Sequence, residues 1–119
     1  MSTQVSWQKV VAVNPQNLDD FEILMNDMIA DARRDDGLEK LEWSISLDQG
    51  VCHVTAGYGN SDAALRHLTA FRVKFAGRFH ELSDTVGETV YGEPDSRVRN
   101  ALPNNAVYMV SAGGFNRCC

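Results

Sequence analysis

Gly57-Tyr58-Gly59-Asn60-Ser61-Asp62-Ala63-Ala64-Leu65-Arg66-His67-Leu68 joins the end of one element to the start of another. Tyr58 closes a strand-like run, Gly59 breaks it, and Asn60 or Ser61 offers a side-chain oxygen to the free amides of a helix N-terminus. From there Leu65, Leu68, Phe71, Phe75, Phe79 and Leu82 recur at spacings of three and four. That period predicts one long amphipathic helix, with Arg66, Arg72, Lys74, Arg78 and Glu81 on its wet side. His67 lies near its beginning, so the segment places an imidazole one turn beyond a strand end.

Upstream, Leu41, Trp43, Ile45 and Leu47 alternate with Glu42, Ser44, Ser46 and Asp48, the period of a strand with one apolar face. Asp48-Gln49-Gly50 then turns the chain into Val51–Tyr58, a strand antiparallel to it. With Gln49 and Gly50 at the centre of a tight turn, Leu47 lies opposite Cys52, Ile45 opposite Val54, Trp43 opposite Ala56 and Leu41 opposite Tyr58. A loop one residue longer would put His53 beside Ile45 instead. In the first register the second face of the hairpin carries Glu42, Ser44, Ser46, His53 and Thr55. Further back, Val5–Val13 reads as a first strand ended by Asn14-Pro15. A first helix begins at Leu18, with Phe21, Met25, Met28, Ile29 and Ala32 on its apolar stripe and acids in its first turn, where the helix dipole favours them. Gly37 follows as its stop.

Downstream, a strand over Asp84–Tyr91, a short helix over Ser96–Leu102 and a last strand over Ala106–Ser111 complete the order. βαββαβ is the ferredoxin-like sandwich, two helices on one face of an antiparallel sheet, here with a short helix and a strand appended. The chain of 119 residues fits a single domain, with about residues 112–119 as a flexible C-terminal tail. The uncovered sheet face would expose an apolar patch, which predicts a homodimer in which two sheets face each other.

Composition narrows the partners. With 44% hydrophobic and 23% charged residues the chain is globular, and a formal charge of −5 gives neither nucleic acid nor an anionic membrane anything to bind. The N-terminus lacks the pattern of a signal peptide and no apolar run is long enough to span a bilayer, so a cytoplasmic protein is expected. Cys52 reads as a small buried hydrophobe. Cys118 and Cys119 form an oxidisable end rather than a lipidation signal, since Asn116 stands four from the terminus.

Gly37, Leu38, Leu41, Tyr58, Asp62, Ala63, His67 and Leu68 together resemble the antibiotic biosynthesis monooxygenase-like domains of the dimeric α+β barrel superfamily. The Val90-Tyr91-Gly92-Glu93-Pro94 element, the short helix and Gly113-Gly114-Phe115 look like a subgroup with a longer C-terminus. The resemblance implies a cofactor-independent monooxygenase acting on a small aromatic or quinol-type substrate. Two departures are visible. Ala56-Gly57 stands where members often carry a Glu-Arg pair, and Gly77 stands where the haem-degrading branch has a histidine. A non-catalytic dimeric barrel that binds a small apolar metabolite, or serves as an assembly module, is the alternative of a different class.

The candidate catalytic residues are His67, a neutral imidazole able to act as a base on an acidic phenol, and His53, grouped with Ser44 on the polar hairpin face. Tyr58, Trp43 and Ser44 are the candidate substrate-binding residues, the two aromatics as walls that stack on a ring. The ordinary alternatives are an exposed helix histidine and core aromatics. His53, His67 and His80 are too dispersed for a metal site. No P-loop and no Gly-x-Gly-x-x-Gly is present, so no cofactor is expected.

Overall fold

The computed structural model describes residues 4–46, 48–115 and 117. β1 (Val5–Val13) leads through a short 3-10 turn at Pro15–Asn17 into α1 (Leu18–Ala32); β2 (Leu38–Ser46) and β3 (Val51–Tyr58) form a hairpin. α2 (Ser61–Lys74), α3 (Ala76–Leu82), β4 (Ser83–Gly92), α4 (Ser96–Ala101) and β5 (Val107–Met109) follow. The sheet runs in the order β2-β3-β1-β4-β5, antiparallel throughout except for the parallel pair β4 and β5. This is the ferredoxin-like sandwich read from the sequence, with its C-terminal additions.

Three expectations need correction. The hairpin register is displaced by two residues: Ile45 pairs with Cys52, Trp43 with Val54 and Leu41 with Ala56, so every side chain keeps its expected face but gains a different neighbour. The loop is longer than the tight turn assumed. Ser46 and Val51 are its last paired residues, and the Gly50 amide bonds back to Ser46 O at 3.0 Å. Gly50 has φ +66°, and a Cβ there would meet Val13 O at 2.8 Å, which is why the turn closes on glycine. The expected pairing of Leu47 falls outside the described residues.

The second helix is also not one rod. It bends at Phe75, φ −128°, between α2 and α3. Along a straight helix, residues eight apart are separated by about 12 Å; the bend brings the rings of Phe71 and Phe79 to 5.4 Å, edge to face. Third, the uncovered sheet face is mixed rather than an apolar patch. Gln8, Ser44, His53 and Thr55 occupy its middle, Val10, Ala12 and Val51 lie toward one end, and Tyr91, Val107 and Met109 are exposed toward the other.

The helix-facing side of the sheet holds the core in two clusters. Val5, Trp7, Ala56, Tyr58 and Val90 pack with Ala63, Ala64, Val98 and Leu102. Val11, Val13 and Cys52 pack with Phe21, Leu24 and Phe79. On β1 the inward residues are Val5, Trp7, Lys9, Val11 and Val13, so the clusters meet at a lysine. Burial holds the Cys52 thiol up at about 11, which keeps it protonated and inert, as a small hydrophobe would be.

α2 begins as the sequence suggests. Asn60 Oδ1 accepts from Ala63 N at 2.9 Å. Ser61 is left free for another task, accepting from Asp95 N at 3.0 Å and tying the start of α4 to the start of α2. Removing the cap in Asn60→Ala should lower stability by about 1 kcal/mol, a loss of a few degrees in Tm by differential scanning calorimetry. An unchanged Tm would mean the cap contributes nothing.

Candidate functional site

The seam between the two clusters is not fully packed. A chamber of about 50 Å3 lies there, walled by Trp7 and Lys9 of β1, Trp43 of β2, Ala56 of β3, and His67 and Phe71 of α2, among others. Its position follows from the strand alternation that turns Trp7, Lys9, Trp43 and Ala56 inward, and from the helical period that puts His67, Leu68 and Phe71 on the facing side.

His67 has a second exposure. It also lines an open depression of about 450 Å3 with Asp31, Asp35, Arg66 and Lys74, between the end of α1 and the face of α2. The imidazole therefore stands between solvent and the inner chamber. Its ring lies 5.3 Å from that of Tyr58 and 6.5 Å from that of Trp7, centroid to centroid. Burial holds its pKa below the ordinary value, with Lys9 adding to the lowering and the carboxylates of Asp35 and Asp31 working against it. The imidazole is neutral at pH 7 and can accept a proton.

Around the depression, Arg66 bonds Asp35 at 3.0 Å and Lys74 bonds Asp31 at 2.9 Å, one bridge from α2 to the loop after α1 and one to α1 itself. Burial opposes ionisation of Asp35, but hydrogen bonds from Arg66 and from the Gly37 amide outweigh it and hold the carboxyl below its usual value. Gly37 is needed for a different reason from helix termination alone: a Cβ there would come within 2.6 Å of both Ala63 and Arg66. The loop after α1 thus lies directly on α2 beside His67.

The structure brings together only part of the expected site. His67 and Trp43 share the chamber. Tyr58 is 1% exposed and stands behind His67 rather than on the chamber wall. Its ring stacks at a tilt on Trp7, 4.7 Å away. His53 and Ser44 are cross-strand partners on the other face of the sheet, where His53 Nδ1 is 3.0 Å from Gln8 Nε2. A molecule in the chamber cannot touch them. Two interior donors, Trp43 Nε1 and Tyr58 Oη, have no acceptor among the described residues, an arrangement that asks for an explanation in a native interior.

The sequence reading missed Lys9 and Glu88. They are direct cross-strand neighbours on the helix-facing side, Lys9 Nζ 3.9 Å from Glu88 Oε1, with side chains 17% and 5% exposed. Beside them β4 carries a bulge, where Val10 pairs with Gly87 and Val11 with Thr85. Nζ also lies over the faces of Phe71 and Phe79, 4.8 and 5.2 Å from their centroids. Burial lowers the Lys9 pKa and raises that of Glu88, each partly offset by the other's charge. The signal was present: Lys9 shares the parity of Val5, Trp7, Val11 and Val13, which marks it as an inward charge.

No protein-family profile and no curated protein matches the sequence. Solved structures do match the fold. MupZ from Pseudomonas fluorescens superposes with a TM-score of 0.81 at 16% identity, over 98% of this chain and 91% of its own. SnoaB, a cofactor-independent oxygenase from Streptomyces nogalater, superposes at 0.63 with 18% identity over 80% of this chain and 97% of its own. A Caulobacter crescentus protein provisionally assigned as an antibiotic biosynthesis monooxygenase gives 0.62 with 20% identity, over 75% and 86%. The chain has the fold of the antibiotic biosynthesis monooxygenase-like domains. The match to MupZ is long enough to take in α4 and β5 as well.

Replacing Lys9 by Met leaves the Glu88 carboxylate buried without its counter-charge, a change that typically destabilises by about 3 kcal/mol or more. The sign with pH is fixed. Glu88 holds its proton more tightly folded than unfolded, so stability falls as pH rises above the ordinary glutamate value of 4.5. Urea unfolding of Lys9→Met should show a deficit that is largest at pH 7 and shrinks toward pH 4. Lys9→Met/Glu88→Leu should recover most of it at neutral pH.

Proposed function

We propose that this protein is a cofactor-independent monooxygenase acting on a small phenolic or quinol-type aromatic substrate, with His67 as the proton acceptor. The observation that carries the reading is the buried neutral imidazole placed between an open depression and a chamber walled by two indoles. The shared fold with SnoaB supports the same class of chemistry without naming the substrate.

The chemistry asks little of the protein beyond a base and a dry, shaped space. His67 removes the phenolic proton, and the resulting anion is electron-rich at the ring carbon para to its oxygen. Dioxygen adds to that carbon, or to an ortho carbon where the para carbon already carries oxygen; the new peroxide takes up the proton held by His67, and loss of the ring hydrogen on that carbon together with the outer OH as water breaks the O–O bond and leaves a carbonyl. One oxygen atom enters the product and one leaves as water, with all electrons supplied by the substrate. The chamber, about 50 Å3 as it stands, has to widen to admit the ring; Trp7 and Trp43 then wall it, Trp43 Nε1 is a donor with an open valence for a substrate oxygen, and Tyr58 supports the imidazole from behind.

The exposed sheet face supports a homodimer as part of the same reading. Val10, Ala12 and Val51 with the polar group around Gln8, Ser44 and His53 would pack against their copies, so His53 and Ser44 serve assembly rather than the chemistry at His67. Light scattering should give twice the chain mass of 13.2 kDa, and Val10→Lys should shift it toward the monomer. A wild-type monomer would sink this part of the reading.

Oxygen uptake with a panel of hydroquinones tests the activity. Wild type should consume oxygen above the buffer rate, and His67→Ala should slow it by about a hundredfold or more. The acid limb of the pH profile should lie below pH 6.5, because burial lowers the pKa of His67. No uptake by the wild type, or an unaffected His67→Ala, would falsify the assignment.

A further inference from the structure

A second cavity, of about 330 Å3, lies beneath α4 and belongs to no step described above. It falls within the size of small-molecule sites, roughly 300–1,000 Å3. Leu68, Phe71, Ala76 and Ala101 give it apolar walls, and Lys9 and Glu88 both line it. The walls of the chamber at His67 include Lys9 but not Glu88. The buried ion pair as a whole therefore opens toward α4.

The Lys9 ammonium makes no hydrogen bond to a described residue: it faces two aromatic rings and a carboxylate at 3.9 Å, beyond hydrogen-bond reach. Above it α4 is fixed by Ser61 and by Arg97, which bridges Asp95 and Asp62. A primary amine beside a carboxyl group in a sheltered space is equipped to condense with a carbonyl. The amine must lose a proton to attack, and the oxygen it displaces must gain two to leave. Burial lowers the pKa of Lys9 against the charge of Glu88, and burial raises that of Glu88 against the charge of Lys9. Moving a proton from this ammonium to this carboxylate therefore costs less than it would in water.

We propose that Lys9 is a covalent carbonyl-binding site, which condenses with a small apolar aldehyde entering the cavity beneath α4, with Glu88 as proton relay. Glu88 takes a proton from the ammonium. The free amine adds to the carbonyl carbon, the π pair passes to the oxygen, and an amine proton moves to that oxygen to give a carbinolamine. Glu88 then returns its proton to the hydroxyl, which leaves as water while the nitrogen pair forms the C=N bond of a protonated imine. Nothing is oxidised or reduced, and water is the other product. The positive charge of the imine stays where that of the ammonium was, beside Glu88 and over the rings of Phe71 and Phe79. An apolar aldehyde fits better than an oxo acid, because the buried cation already has its carboxylate and the walls around it are apolar. Neither His67 nor dioxygen takes part, so the step stands apart from the oxidation.

Benzaldehyde with cyanoborohydride, which reduces an imine to a stable amine, tests this on the intact chain at neutral pH, read by peptide mass spectrometry. Lys40 and Lys74 are the internal standards. Lys9 should gain a benzyl group about a hundredfold faster than either, the scale of a positioned proton donor, and in urea the three should react alike. Glu88→Gln should remove most of the advantage. Ala101→Trp, which places an indole in the wall of the cavity, should block Lys9 and leave Lys40 and Lys74 unchanged. Circular dichroism establishes that each variant is folded, and the wild type alone decides the main point: Lys9 reacting no faster than Lys40 and Lys74 overturns the site. An undiminished rate in folded Glu88→Gln overturns the relay, and an undiminished rate in folded Ala101→Trp overturns the entry beneath α4.

Discussion

A charged pair on the two central strands organises this molecule. β1 and β4 turn Val5, Trp7, Val11, Val13 and Val90 toward the helices, yet Lys9 and Glu88 occupy the same face at its middle. Burying an ammonium and a carboxylate is tolerable only with a partner close by and polarizable surroundings, and here each is the other's partner while Phe71 and Phe79 present their ring faces to the cation. Apolar residues cannot close over that pair as they close over each other. The core therefore forms on either side of it, and the unfilled space lies between.

The bend at Phe75 belongs to the same constraint. A continuous helix would cover the sheet evenly, whereas α2 and α3 together wrap two phenyl rings around the buried ammonium. The helix amide ladder survives the bend: Phe75 N still bonds Phe71 O, and Phe79 N bonds Phe75 O, each at 2.9 Å. Aromatic residues that read as an ordinary apolar stripe thus have an electrostatic task as well.

Most of the fold was legible because it depends on period and punctuation. β1 and β3 have the bounds read from the chain, the first helix starts at Leu18 as expected, and Asn60 caps the second. What escaped depends on contacts between distant residues. A two-residue shift preserves the inside-outside pattern, so the pattern could not choose between the registers, and the closing loop at Gly50 decided. His67 and Trp43 were legible as candidates, and a shared chamber bears on both. His53 and Ser44 were grouped with them by polarity alone, and a sheet has two faces. Lys9 passed unnoticed because a single lysine in loosely alternating sequence does not announce its depth, which is set by its neighbours across the sheet.

The rims of the sheet carry a separate consequence. At one rim β2 is interrupted by an irregularity between Leu38 and Lys40 and carries Glu39, Lys40 and Glu42; at the other, β5 is only three residues long. A strand from another molecule finds a broken, charged ladder on one side and a single short rung on the other. Sheet-to-sheet growth by strand addition, the route to fibrils, is thereby obstructed at both ends, even though Val107, Met109 and Tyr91 are exposed beside the β5 rim.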